Sequence, residues 1–226
     1  MNMNMFNQFI CPEILTLPIT PVLLIITLLI TNNKPKLLSN RMTTAMKFML
    51  KNLSINMANQ LSKQGQKWLH LLMSLLITIM LSNLIGLLPY TFTTTSQLYI
   101  NMTLALPMWM ATVITGLLNK PSHTLAHMLP ETSPTPLIPF MIMIETVSLL
   151  MRPLALGVRL TANITAGHLL MTMISSTALI FLNNMITLHM MTMILLMLLT
   201  ILEMAVACIQ AYVFTLLVIL YLQENT

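Results

Sequence analysis

The chain has very few charged residues for its length of 226 residues. Only 7% of them are charged and none is aspartate, whereas an ordinary soluble domain has about 25% charged residues. Since 57% of the residues are hydrophobic and the mean hydropathy is +0.85, the chain cannot cover itself with a polar surface. This composition excludes a soluble globular protein and predicts an integral membrane protein.

Cysteine is scarce, and most of the basic residues lie in one part of the chain. Cys11 and Cys208 lie far apart in sequence, which argues against a disulfide framework. Seven of the ten Lys and Arg residues lie between Lys34 and Lys67. Aromatic residues are not interleaved with them, so a nucleic-acid partner is not expected. The positive-inside tendency places this basic stretch on the matrix or cytoplasmic side and the N-terminus on the other side.

The sequence also lacks the signatures of several kinds of active site. It has no glycine-rich nucleotide-binding loop, so the chain is not expected to hydrolyse ATP by itself. His123 and His127 are four residues apart, but no cysteine or carboxylate joins them at ligand spacing, so we expect no metal or cofactor. The first ten residues lack the pattern of a signal peptide or an imported precursor. Together with 24 methionines, this is typical of organelle-encoded membrane proteins.

Long apolar runs predict an all-α integral membrane protein folded as one membrane domain, 1–226. A membrane-crossing helix needs about 20 apolar residues, and about three such transmembrane helices are expected before a C-terminal hairpin of two long tilted helices. The predicted segments are a first span at 14–31, an interfacial amphipathic helix at 39–59, a second span at 68–89, a third span at 98–118, and the hairpin helices at 140–175 and 185–222.

The segment 39–59 differs from the spans because its apolar residues recur on one helix face. That face comprises Leu38, Met42, Ala45, Met46, Met49, Leu50, Leu53 and Met57. Arg41, Lys47 and Lys51 fall largely on the other faces. A basic amphipathic helix of this kind is expected to lie in the membrane interface. A surface helix packed on a partner is the alternative.

The two hairpin helices are longer than a perpendicular span requires. A helix over 140–175 would be about 54 Å long, and the hydrocarbon core is about 30 Å thick. We therefore expect this helix to be tilted, bent near Pro153, or laid along the membrane. The second helix has the same excess length, and Asn183-Asn184 is the predicted turn.

Charged and polar residues interrupt the first hairpin helix, where a charged side chain costs about 2.5–3.5 kcal/mol at the bilayer centre. Glu145, Arg152 and Arg159 are seven residues apart and form one stripe, which Asn163 closely joins. His168 falls on roughly the opposite face. Such groups usually mark an ion path or a buried pair.

The second hairpin helix carries Glu203 and Gln210, which are seven residues apart and share a face. Acidic or imidazole groups therefore occur on two sides of a guanidinium. Carboxylates and histidine can exchange protons, whereas arginine effectively cannot. This is the arrangement that a proton path interrupted by a fixed cation needs. A buried structural group remains the alternative for Glu145 and for His168.

Four stretches of the sequence carry recognisable motifs. The first is RLTAN at 159–163, followed by Gly167-His168, and the second is Glu203 with QAYVF at 210–214. The third is NLIGLLP at 83–89, and the fourth is Leu129-Pro130 with 135–137. Together they resemble subunit a of F-type ATP synthases, in the mitochondrially encoded animal form: the second is similar to the family's final helix, the third to its second span, and the fourth to the loop before the hairpin. The resemblance covers essentially the whole chain.

This resemblance implies a proton-conducting stator subunit that is not catalytic by itself. Two half-channels would deliver protons to and from the carboxylates of a rotating ring of c subunits. Arg159 would separate the half-channels, Glu145 would lie near the matrix-side exit, and His168 and Glu203 would line the intermembrane-space half-channel. Asn163 and Gln210 would be polar neighbours of the arginine.

The implied location is the mitochondrial inner membrane, as a multi-pass protein. The implied partners are the c ring, the peripheral stalk, other membrane-sector subunits and lipid, with cardiolipin as one candidate.

Three features depart from the family pattern. Arg152 lies in the charged stripe but outside the pattern, and we interpret it as interfacial or lipid-contacting, not as a second gate. The loop Glu131-Thr132-Ser133 lacks the glycine expected there, and His189 is interpreted as structural.

Two other classes of membrane protein are alternatives to this assignment. A respiratory-chain redox subunit would bind haem through paired intramembrane histidines, but the histidines here are scattered at positions 70, 123, 127, 168 and 189. A self-contained proton transporter often shows internal repeats with broken helices, and no convincing repeat is evident.

Overall fold

In a computed structural model of the chain, the described residues are 9–10, 13–14, 17–18, 41–62, 65–88, 91–119, 121–126 and 137–225. Within these ranges, four helices are long and apolar enough to cross a membrane. This confirms the all-α membrane fold. The helices are α1 (Arg41–Gln60), α2 (Leu69–Gly86), α3 (Leu98–Asn119), α4 (Pro121–Ala126), α5 (Ile138–Asn184) and α6 (Ile186–Asn225), and the four apolar ones are α2, α3, α5 and α6.

Short 3₁₀ turns precede two of these helices. Gly65–Trp68 leads into α2, and Thr94–Ser96 lies just before α3. A Cβ built on Gly65 would lie 2.7 Å from the Cδ2 atom of Leu222. The absence of a side chain at Gly65 therefore permits a close approach between this turn and α6.

The described part of the N-terminal region forms two short strands, β1 (Glu13–Ile14) and β2 (Leu17–Pro18), which pair antiparallel. Ile14, Leu17 and Pro18 therefore belong to this pair and not to the start of a helix. The proline fits such a short strand because it has no N–H to give to a helix interior. The other residues of the predicted first span, 14–31, lie outside the described residues.

The two long hairpin helices are continuous, and both run past their predicted C-terminal ends at 175 and 222. α5 begins two residues before position 140, passes through Pro153 without a break and runs on to Asn184. The turn predicted at Asn183-Asn184 is therefore wrong, and the break between the two helices falls at Met185. Beyond position 175, the hydroxyls of Ser176 and Thr177 donate to carbonyls three residues earlier at 2.8 Å each. These polar side chains are thus satisfied within the helix and do not end it.

The amphipathic helix α1 buries a narrower face than its periodicity predicts. Met57 is 2% exposed, and Leu50 and Leu53 are half-buried. Met49, which belongs to the same predicted face, is 66% exposed, and its neighbour Phe48 is 65% exposed. Large apolar side chains therefore lie outside the packed side of α1. Its position in the membrane interface stays a prediction.

The chain forms two compact units, each assembled from separated stretches. The first unit comprises 1–31, 77–101 and 158–212, and the second comprises 32–76, 102–157 and 213–226. Buried apolar residues of the first unit include Ile79, Ile100, Leu160, Ile164, Ala207 and Ala211. Those of the second include Met57, Leu72, Leu76, Leu156, Phe214 and Leu222.

Candidate functional site

A cavity of about 230 Å³ lies within the first unit, and it is lined by α5, α6 and Leu87, which directly follows α2. Most of its lining is apolar. The side chains with polar groups at the cavity are those of Asn163, His168 and Glu203. A cavity of this size has room for water molecules that hydrogen-bond to these three side chains. The structure therefore brings together three of the residues predicted from the sequence.

His168 and Glu203 carry unsatisfied polar atoms at this cavity. Both side chains are partly buried. Among the described residues, the Nε2 atom of His168 and the Oε1 atom of Glu203 are buried without a hydrogen-bond partner. Leaving such an atom unpaired costs about 1–3 kcal/mol, so native structures usually give it a partner or a function. These two groups are placed to bond water or to exchange a proton inside the cavity.

Gly167 creates the space that the Glu203 carboxyl group occupies. A Cβ atom at Gly167 would collide with Oε1 of Glu203 and would lie 3.0 Å from its Cδ atom. The carboxyl group of Glu203 therefore lies directly against the backbone of α5 at Gly167, next to His168. Sequence reasoning quoted Gly167 within a motif but assigned it no role. A glycine inside an apolar helix, where it costs stability, is the signal that could have found it.

Asn163 and Gln210 join α5 to α6 by a side-chain hydrogen bond. The Nδ2 atom of Asn163 donates to Oε1 of Gln210 at 2.9 Å. Gln210 is only 6% exposed, so its amide depends on a protein partner. The two residues that were predicted as polar neighbours of Arg159 thus contact each other directly.

Arg159 lies four residues before Asn163 on α5, which places the two side chains on one helix face. Its side chain is exposed. Within the described part of the chain it forms no hydrogen bond or ion pair with another residue.

Asn83 is a buried polar residue whose role sequence reasoning did not identify. It is 1% exposed, and its Nδ2 atom lies 3.4 Å from the carbonyl oxygen of Ala207. Ala207 also lines the cavity. The amide of Asn83 thus supports α6 behind the cavity wall.

Glu145 belongs to the second unit and lies in a separate ionic cluster. Its Oε1 atom is 3.7 Å from Nη2 of Arg152. Nη1 of Arg152 donates to Oε2 of Glu224 at 2.8 Å. Arg152 is thus paired with protein carboxylates, which its interpretation as an interfacial or lipid-contacting residue did not include.

His189 contacts a backbone group near the junction of the hairpin. Its Nδ1 atom is 3.0 Å from the carbonyl oxygen of Ala178, so the start of α6 is tied to α5.

In the ranges that the structure describes, no group of three or more His, Cys or carboxylate residues could hold a metal ion.

The fold and the cavity together define a class of protein. It is a multi-pass helical membrane protein that carries ionisable side chains at a cavity between its long hydrophobic helices.

Comparison with known proteins identifies the family. The family model of the ATP synthase A chain matches residues 14–223. The chain is 66% identical to ATP synthase F(0) complex subunit a of Lycodon semicarinatus over 226 residues, which is all of both chains. It is 53% identical to the protein of the same name from Struthio camelus over 226 residues, again all of both chains. It is 52% identical to that from Papio hamadryas over 227 residues, with both chains fully covered. The chain belongs to the ATP synthase A chain family, as its motifs predicted.

Proposed function

We propose that this chain is the proton-conducting stator subunit of a mitochondrial ATP synthase, and that it lies in the inner mitochondrial membrane. The observation that carries the proposal is the cavity at which His168 and Glu203 present buried polar atoms that have no partner within the described residues. Membership of the ATP synthase A chain family supports it independently.

The cavity acts as part of the half-channel that opens to the intermembrane space. An imidazole and a carboxyl group can each take up and release a proton. His168 and Glu203 line the same cavity, so a proton passes between them directly or through water. Intramembrane ionisable residues that face a cavity commonly form such relays.

Arg159 separates this half-channel from the second one. Its charge is fixed because the guanidinium effectively never loses its proton. Because its side chain is exposed and forms no ion pair within the described residues, it is free to face the carboxylate of a ring subunit. It favours the ionised form of that carboxylate and repels a proton that would pass directly between the half-channels. The hydrogen bond between Asn163 and Gln210 holds α5 and α6 together one turn away.

Glu145 serves the second half-channel, near the matrix-side exit. A proton that crosses the membrane through both half-channels delivers about 2.3 kcal/mol per 100 mV of potential. Rotation of the c ring transfers this work to a separate catalytic head.

The partners are the c ring, the peripheral stalk, other membrane-sector subunits and lipid, including cardiolipin. Large apolar side chains are exposed along α5 and α6, among them Met143, Leu179, Ile194 and Ile201. Exposed apolar surface of this extent fits burial against other helices and against lipid.

Mass spectrometry of the complex, extracted in mild detergent from its native membrane, tests this assignment. We expect the chain to be recovered with a ring of small two-helix subunits and a soluble nucleotide-binding head. Recovery of the chain alone would contradict the stator role. Recovery with haem proteins, together with a haem absorption band, would favour a respiratory redox complex instead.

A further inference from the structure

Arg152 lies at the centre of a cluster in the second unit that the proposed mechanism does not use. The cluster consists of Glu145 and Arg152 on α5 and of Tyr221 and Glu224 on α6. Its two acidic groups and one guanidinium bring charges together from the first third of α5 and the last turns of α6.

The guanidinium is held more closely by one carboxylate than by the other. Its Nη1 atom donates a hydrogen bond to Oε2 of Glu224 at 2.8 Å. Its Nη2 atom lies 3.7 Å from Oε1 of Glu145, which is an ion pair but too long for a hydrogen bond. Glu224 therefore competes with Glu145 for the same cation and has the stronger contact.

Tyr221 restricts where the guanidinium can go. The Cζ atom of Arg152 lies 5.0 Å from the centre of the Tyr221 ring, within the range of a cation–π contact. Tyr221 and Glu224 are three residues apart, so they share one face of α6. The last turns of α6 thus supply both the ring and the carboxylate that draw Arg152 away from Glu145.

We propose that Arg152 is a positioning residue shared between Glu145 and Glu224, and that Glu224 thereby sets how readily Glu145 exchanges protons. This inference rests on the proposed function, in which Glu145 serves the matrix-side half-channel. A cation bound tightly to Glu145 would stabilise its carboxylate and hinder proton uptake. By holding the cation, Glu224 leaves Glu145 with a weaker pair and keeps it available.

The charge balance supports this sharing. One guanidinium cannot neutralise both carboxylates, so the cluster retains a net negative charge when both are ionised. The Glu145 side chain is 32% exposed, so solvent screens its attraction to Arg152 but does not abolish it.

Substituting Glu224→Gln tests the proposal in the assembled enzyme. The change removes the competing charge with little change in shape, and the side chain is exposed enough, at 44%, for folding to be retained. Arg152 then has Glu145 as its one anionic partner in the cluster, although the glutamine oxygen can still accept a hydrogen bond from it. We expect passive proton conduction through membrane sectors stripped of the soluble head to fall about fivefold per assembled complex, which is the kinetic equivalent of about 1 kcal/mol.

Two further variants separate this inference from a purely structural role. Glu224→Asp keeps the charge and should conduct close to the native rate. The double variant Arg152→Gln, Glu224→Gln removes the cation and should conduct faster than Glu224→Gln alone. If the cluster only fastened α6 to α5, removing Arg152 as well would never improve conduction. Gln223→Ala, at the exposed neighbouring position, serves as the matched control.

An unchanged rate in Glu224→Gln would overturn the inference. A double variant as slow as, or slower than, Glu224→Gln would overturn it too, as would Glu224→Asp if it were slowed as much as Glu224→Gln. Native membrane sectors that conduct no protons would overturn the proposed function along with it. Normal conduction in the native sector, with no effect of Glu224→Gln, would overturn this inference alone.

Discussion

The side-chain amide nitrogen of Asn163 donates a 2.9 Å hydrogen bond to the side-chain oxygen of Gln210, although the two residues are 47 positions apart. The bond links the two long helices one turn beyond Arg159. Its two ends differ in environment, because Gln210 is 6% exposed whereas Asn163 is exposed. Loss of one partner therefore should not cost the same as loss of the other.

Asn163→Leu should destabilise the folded chain more than Gln210→Met does. The first change leaves a buried amide without a partner, which costs about 1–3 kcal/mol. The second leaves an exposed amide that can bond elsewhere. Thermal denaturation of the purified complex, monitored by the loss of the folded chain, would measure the difference in stability between the two variants. The double variant should be more stable than Asn163→Leu, because it no longer has an unpaired buried group; an equal or larger loss would argue against the hydrogen bond.

Gly167→Ala should slow proton delivery without preventing assembly. The added methyl group would meet the Glu203 carboxyl group, which must then move away from α5. ATP-driven proton pumping in reconstituted vesicles measures the effect. Adding Glu203→Asp, which shortens the side chain, should restore part of the rate. If Gly167→Ala pumps at the native rate, Glu203 does not need its observed position.

His168 and Glu203 should act as one relay. Since they line the same cavity, removing either should interrupt the path that the other uses. His168→Gln combined with Glu203→Gln should therefore lose less rate than the product of the two single losses. Passive proton conduction per assembled complex is the quantity to compare. Losses that simply multiply would show that the two residues act independently.

Much of the fold could be predicted because long runs of apolar residues indicate the membrane-spanning helices. Spans of about 20 apolar residues are required by the thickness of the bilayer, and α2, α3, α5 and α6 follow them. The family motifs place Asn163 and Gln210 as polar neighbours of Arg159, but they do not indicate the hydrogen bond between the two. The end of α5 was harder to predict, because Ser176 and Thr177 look like turn residues but hydrogen-bond back to the helix.

Contacts between distant residues were not predictable from periodicity. The pattern on α5 places Arg152 on a stripe with Glu145, but nothing in it indicates that Glu224 and Tyr221 meet the same guanidinium. The space that Gly167 provides for Glu203 likewise depends on how closely α6 packs against α5. For α1, in contrast, the periodicity predicted too much burial. Met49 belongs to the predicted apolar face of this helix, but its side chain is exposed.

ATP-driven proton pumping by the Arg159→Ala enzyme, reconstituted in vesicles, tests the central claim most directly. Arg41→Ala, an exposed arginine on α1, is the matched control and should pump normally. We predict that Arg159→Ala abolishes pumping and opens a passive proton leak, because no fixed charge then separates the half-channels. Coupled pumping retained in Arg159→Ala would contradict the assignment of Arg159 as the separator.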